Sequence, residues 1–191
     1  MKHHAKLRLA AALTAVSIAA VGLSACGGSQ GQSPYAQVKT ATLDQKPVDF
    51  GAMQQAGKVV IVNFWATTCT TCKKEMPKMV EMYQQYHPKG VEYVAVAMQY
   101  DNPEIVKNYT AEKQLPFLNV WDSDGKIATA FGEIIGTPTT YIIDKNGKSK
   151  KYIGEPEVWN ETEEDIRQML EELNIPFTED VGEAAFYGPK L

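Results

Sequence analysis

The chain has 191 residues, 44% of them apolar and 22% charged, with a formal net charge of −4. That apolar content rules out disorder for the bulk of it, and the length suits one globular domain of ~100–150 residues plus appendages. Of 19 basic residues only Arg8 and Arg167 are arginine, which argues against nucleic-acid binding, and three histidines, two of them His3 and His4, leave His-rich and Cys2His2 zinc sites without ligands.

At the amino terminus Lys2, Lys6 and Arg8 stand without an acid before an apolar run from Leu9 to Leu23. The layout is that of a secretory leader, and the run falls short of the ~20 residues a spanning helix needs. It ends in Leu23-Ser24-Ala25-Cys26, which resembles the lipobox of bacterial lipoproteins. The resemblance implies a signal peptide over residues 1–25, cleavage before Cys26, and a diacylglycerol on the Cys26 thiol that anchors the protein to a membrane. The alternatives are an uncut anchor helix, or an ordinary leader followed by a spare thiol. Loss of residues 1–25 removes three bases and no acid, so the balance becomes 16 − 23 = −7. An exported domain on the periplasmic or other extracytoplasmic face is expected. Residues 26–38 are expected to be the lipidated cysteine and a flexible tether, since Gly27 to Pro34 (GGSQGQSP) has no apolar period. The composition turns globular from about Tyr35.

Val59 to Trp65 is a near-continuous apolar run, as for a strand buried on both faces. Met76, Met79, Val80 and Tyr83 then follow helical spacing, up to Gly90. Val91 to Met98 reads as a second buried strand. Ile105, Val106, Tyr109 and Leu115 suggest a helix begun by Asp101-Asn102-Pro103, and Phe117 to Trp121 a short strand closed by the turn Asp122-Ser123-Asp124-Gly125. Thr139 to Ile143 and Ser149 to Ile153 flank Lys145-Asn146-Gly147-Lys148, a strong hairpin signal. Ile166, Met169, Leu170 and Leu173 place a last amphipathic helix from about Glu161. This order predicts an α/β fold over residues 39–174, a mixed sheet with helices on both faces. Residues 175–191 carry no clear period and are read as a tail.

Cys69-Thr70-Thr71-Cys72 follows the first buried strand and opens the helix. A sulfur there meets unsatisfied N–H groups and the positive end of the helix dipole, both of which favour thiolate over thiol. Cys72 falls one turn further on, within disulfide reach. Cys69 is expected to attack and Cys72 to resolve, with Lys73 and Lys74 adding screened positive potential. Against this stand a structural disulfide, which closes a very short loop, two inert buried cysteines, and half a zinc knuckle, whose remaining ligands the chain lacks.

The segment from Asn63 to Pro77 (NFWATTCTTCKKEMP) resembles the active-site segment of the thioredoxin superfamily, and more narrowly the membrane-tethered TlpA/ResA-like thiol–disulfide oxidoreductases. The similarity extends from about Thr40 to Leu173 and takes in Gly136 to Asp144 (GTPTTYIID). It implies a thioredoxin-like fold, a redox disulfide between Cys69 and Cys72, and a cis proline at Pro138 facing it. It also implies that the backbone of Thr137 pairs with an extended substrate segment, and that Trp65 lies in the substrate-binding region. Thioredoxin proper has a titrating aspartate where this chain has Asn63. The TlpA/ResA-like branch shares the asparagine and carries an acid that maps onto Glu75, one turn from Cys72. There it would take the resolving thiol's proton, with burial raising its pKa toward the working range; otherwise Glu75 is a solvated acid in a first helical turn. Thr68 departs from the tryptophan usual in relatives before the first cysteine.

The reaction implied is a two-step dithiol exchange with an exported protein disulfide, apocytochrome c among the candidates, and no cofactor, metal or nucleic acid is expected. Thr70-Thr71 contains no cation to stabilise the thiolate strongly, which favours reduction, recharged by a membrane thiol-relay electron donor. Two other readings are a peroxiredoxin-type peroxidase on the same fold, for which Arg167 is the only arginine left to polarise peroxide, and a non-catalytic lipoprotein binding module.

Overall fold

Val59–Trp65 is the centre of the molecule because both of its faces are apolar. Val59, Ile61 and Trp65 point to one side of the sheet, and Val60, Val62 and Phe64 to the other, each set buried in its own core cluster. The structure, a computed structural model, describes residues 33–154 and 158–172. The expected leader, the lipobox Cys26 and the tail 175–191 lie outside the described residues.

In chain order the elements are β1 (Lys39–Ala41), β2 (Pro47–Asp49), α1 (Phe50–Gln55), β3 (Val59–Trp65), α2 (Thr70–Tyr86), β4 (Val91–Ala97), α3 (Pro103–Glu112), β5 (Leu118–Trp121), α4 (Lys126–Ala130), β6 (Thr139–Ile143), β7 (Ser149–Ile153) and α5 (Val158–Glu172). The main sheet has the order β5-β4-β3-β6-β7, and β1 and β2 form a separate antiparallel pair. β3 runs parallel to β4, and β4 to β5, whereas β6 is antiparallel to both β3 and β7. Helices α2, α3 and α5 cover one face, and α1 and α4 the other. This is the mixed α/β sheet expected. Among the described residues no helix is long and apolar enough to cross a membrane.

Three corrections follow from packing. The tether expected through residue 38 gives way earlier. Pro34–Gln37 form a 3-10 turn with Tyr35 and Ala36 buried, and Ser33 Oγ and Tyr35 Oη both donate to Gly147 O. The buried stripe of α2 is Cys72, Glu75, Met76, Met79, Met82 and Tyr86, so Val80 and Tyr83 flank it half-buried instead of centring it. The Asp122 turn also starts a helix. Asp122 is buried and accepts from Ile127 N (3.0 Å) and Ala128 N (2.9 Å), satisfying the free donors of α4.

The β6–β7 connection shows why Asn-Gly stands there. Asp144 Oδ1 accepts from Asn146 N and Lys148 N at 2.9 and 2.8 Å, and Gly147 closes the turn at φ +80°. A Cβ at Gly147 would meet Ser33 Oγ and Gln54 Nε2 at 2.7 Å, so glycine serves both the backbone angle and the approach of the amino-terminal turn.

Candidate active site

The register gathers the motifs at one end of the sheet. Phe64 on β3 pairs with Thr139 on β6, so the chain just beyond each, Trp65-Ala66 and Thr137-Pro138, leaves the sheet side by side. On the other flank Trp65 pairs with Ala97, and Met98 N donates to Trp65 O at 3.0 Å. The loops 66–69, 98–102 and 136–138 therefore share that end.

Cys69 is the N-cap of α2. Its Sγ accepts from Cys72 N at 3.1 Å, occupying the position where Ser, Thr or Asp commonly caps. Cys72 is 1% exposed, Cys69 is half-buried, and the two are joined in a disulfide with Cα atoms 5.3 Å apart. A reduced Cys69 would place its thiolate on the same N–H and at the positive end of a 17-residue helix. Pro77 lies within that helix and removes the backbone donor that would reach the carbonyl of Lys73. Lys73 and Lys74 are exposed.

Asp101 holds the approach to Cys69. Its carboxylate is 7% exposed and accepts from Thr67 N, from Thr67 Oγ1 (2.6 Å) and from Asn102 N (2.9 Å). The tripeptide before Cys69 is thus tied to the loop after β4, and Cys69 N donates to Ala66 O at 3.0 Å. Asp101 was visible in the sequence only as part of a helix start. Asn102 does cap α3, accepting from Glu104 N and Ile105 N, but Asp101 reaches back across the sheet end.

The remaining expected site residues separate. Pro138 is buried and follows a cis Thr137–Pro138 bond, while Thr137 is half-exposed and Thr139 Oγ1 donates to Gly136 O at 2.7 Å. Glu75 is 4% exposed, on the sheet-facing stripe of α2; it is no solvated first-turn acid. Tyr93 lies close enough that burial and the Glu75 carboxylate together push its phenol well above the ordinary value. Trp65 is fully buried, its ring 5.4 Å from that of Tyr109. The expectation that Trp65 touches substrate does not fit that burial, and its role here is to pack beneath the motif. Asn63 is buried and donates through Nδ2 to Thr140 Oγ1 at 2.9 Å. Arg167 pairs with Glu164 on its own helix at 3.7 Å. Among the described residues no cluster of three or more His, Cys, Asp or Glu side chains is placed to hold a metal ion.

Residues 29–170 match the Redoxin family. The chain belongs to that family. Within it, the chain is 41% identical over 118 residues to the thiol-disulfide oxidoreductase ResA of Geobacillus thermodenitrificans, covering 61% of this chain and 64% of that one. The chain thus spans less than two thirds of the length of that curated relative. Among solved structures, a thioredoxin-family protein from Neisseria meningitidis superposes with a TM-score of 0.65 at 33% identity, over 70% of this chain and 87% of that one. A thiol:disulfide interchange protein of the thioredoxin family from Chlorobium tepidum superposes with a TM-score of 0.62 at 27% identity, over 70% and 92%. The Redoxin domain of this chain therefore has the thioredoxin-like fold, with its Cys-Thr-Thr-Cys pair at the head of α2.

Proposed function

We propose that this Redoxin-family protein is a thiol:disulfide oxidoreductase that reduces disulfides of exported proteins through Cys69 and Cys72. The observation that carries the reading is the sulfur N-cap. Cys69 Sγ takes the backbone N–H of Cys72 at the start of α2, where negative charge is favoured, and its bonding partner Cys72 is buried behind it. In the reduced protein Cys69 thiolate attacks a partner disulfide, forming a mixed disulfide and releasing one partner thiolate. Cys72 then attacks Cys69 Sγ and the second partner sulfur leaves, so two electrons pass to the partner and the 69–72 disulfide remains. Glu75, one turn from Cys72, is the acceptor for the Cys72 proton. Thr137 offers its backbone to the partner's extended segment, and two exposed apolar side chains on loops at this end, Tyr100 (64%) and Ile135 (84%), support partner contact.

Thr70-Thr71 places no cation between the cysteines, which favours the reducing direction, and a membrane thiol-relay protein is the electron donor this requires. Lipid on Cys26 would hold the domain at the extracytoplasmic face of a membrane, after removal of residues 1–25; apocytochrome c is among the exported substrates consistent with this. Cys72→Ser is expected to accumulate a mixed disulfide with the partner on Cys69, and Cys69→Ser to abolish both exchange and trapping. A protein that fails to cycle with dithiothreitol, or a trapped partner unaffected by Cys69→Ser, overturns the reading.

A further inference from the structure

On the sheet face beneath α2, five buried side-chain polar atoms have no protein hydrogen-bond partner among the described residues: Asn63 Oδ1, Trp65 Nε1, Tyr93 Oη, Asn119 Oδ1 and Trp121 Nε1. They are not scattered. Asn63 and Trp65 on β3, Tyr93 on β4, and Asn119 and Trp121 on β5 alternate in step along parallel strands, so all five share one face. Cross-strand pairing sets four of them in two adjacent rows, Asn63–Ala95–Asn119 and Trp65–Ala97–Trp121, in which β4 contributes only a methyl group. The amide orientations are fixed by their nitrogens. Asn63 Nδ2 donates to Thr140 Oγ1, and Asn119 Nδ2 to Leu115 O and Phe117 O, which leaves each Oδ1 to the shared face.

One stranded buried polar atom costs a sizeable fraction of a domain's net stability, and five would rival the whole of it. Native proteins meet such groups with ordered water where the site is polar and has room; the rows are polar, and the alanines that β4 sets between them take up the least volume a side chain can. The rows also have two distinct ends. At the inner end Glu75 on α2 is buried close enough to Tyr93 on β4 to act on its phenol, and the Tyr93 ring lies 4.7 Å from that of Phe117. At the other end β5 is the edge strand, and Asn119 lines a surface pocket of about 490 Å³ together with Leu43, Lys107, Thr110, Leu115 and Phe117.

We propose that this face holds a row of ordered water molecules reaching from Tyr93 and Glu75 to the Asn119 pocket, and that the row carries the Glu75 proton to solvent. The water stands on the orphaned atoms alone; its role as a proton path rests on the exchange reading above. As Cys72 Sγ attacks Cys69 Sγ of the mixed disulfide, the Cys72 proton moves to the Glu75 carboxylate and the 69–72 bond forms. The bond to the partner breaks, with its electron pair leaving on the partner sulfur. The proton on Glu75 then passes through water to the pocket, restoring the carboxylate, and the partner thiolate takes up a proton from solvent. Tyr93 is a positioning residue for this path.

The test uses the full-length, oxidised protein labelled with nitrogen-15 and reads water-to-indole cross-relaxation. Long-lived water signals are expected at the indole N–H of both Trp65 and Trp121, and they persist in Tyr109→Phe, which removes the hydroxyl of the ring packed against Trp65. Absence of these signals overturns the proposal. Tyr93→Phe is expected to slow decay of the mixed disulfide about tenfold, a small part of the ~10²–10⁴ that positioned proton transfer supplies, with the rate of its formation unchanged. Equal slowing of both steps, or of neither, overturns the proton path. Failure to cycle with dithiothreitol, with the water signals present, overturns the exchange reading and leaves the bound water standing.

Discussion

Asp101→Ala tests whether the approach to Cys69 is held by the loop after β4. The carboxylate accepts three hydrogen bonds, two from Thr67 and one from Asn102, and is almost fully buried. Bonds to an ionised group contribute roughly 1.5–3 kcal/mol each, but Thr67 is half-buried and water can replace part of what is lost. Truncation is therefore expected to cost about 3 kcal/mol in all, which for a domain of this size lowers the melting temperature by about 10 °C. Asp101→Asn keeps one acceptor oxygen and the shape, and should lose about half as much. Because Thr67 lies two residues from Cys69, loss of its anchor should also slow the first exchange step, by about tenfold if the sulfur N-cap is populated a tenth of the time. Thermal unfolding of the oxidised protein and the rate of mixed-disulfide formation with a model disulfide measure the two effects. A variant that melts within about 2 °C of the parent and attacks at the same rate refutes the reasoning.

Phe131→Ala should cost about 3–5 kcal/mol in urea unfolding, since its ring lies 4.8 Å from Tyr35, 5.0 Å from Tyr141 and 5.3 Å from Phe64. Gly147→Ala forces an L side chain into φ +80° and against Ser33 and Gln54; a loss of at least about 1–2 kcal/mol is expected by the same assay. Stability should also fall at high pH. The folded protein holds the Tyr93 proton above its unfolded value, so this contribution is fully present below about pH 10 and is lost as pH rises beyond it, by about 1.4 kcal/mol per unit for this one group. Tyr83 and Tyr109, raised less and only partly buried, add in the same direction. Urea midpoints at pH 9, 10 and 11 should decline, and Tyr93→Phe should flatten the decline.

The elements legible in the sequence were those whose pattern is local and long. β3 and β4 show as apolar runs because both faces are covered, and β6–β7 as a hairpin because Asn146-Gly147 meets a turn's angles within a few residues. β1 and β2 have three residues each, α1 has six and α4 five, too short for either period to emerge. Their supports lie elsewhere. Thr42 bridges to Val120, Leu43 N donates to Asn119 O, and the Asp122 cap of α4 looks like turn chemistry until Ile127 and Ala128 are seen bonded to it.

The site divides along the same line. Cys69 and Cys72 were legible because what makes a cysteine at a helix start reactive is contained in one helical turn. Glu75 was suggested by resemblance alone, and its burial follows from where the sheet-facing stripe of α2 falls, one position away from the stripe that hydropathy picks out. Asp101 meets Thr67 only because β3 and β4 run parallel in a register that ends Trp65 opposite Ala97. The orphaned polar atoms need three strands in register before Asn63, Ala95 and Asn119 become one row. Taken singly, an asparagine at position 119 or a tryptophan at 121 reads as an ordinary strand residue. Together, with alanines between them and a buried carboxyl nearby, they form a polar seam through an apolar layer, and such a seam costs stability wherever its groups are left unpaired. That cost is the reason to look for water and proton movement there before anywhere else in the domain.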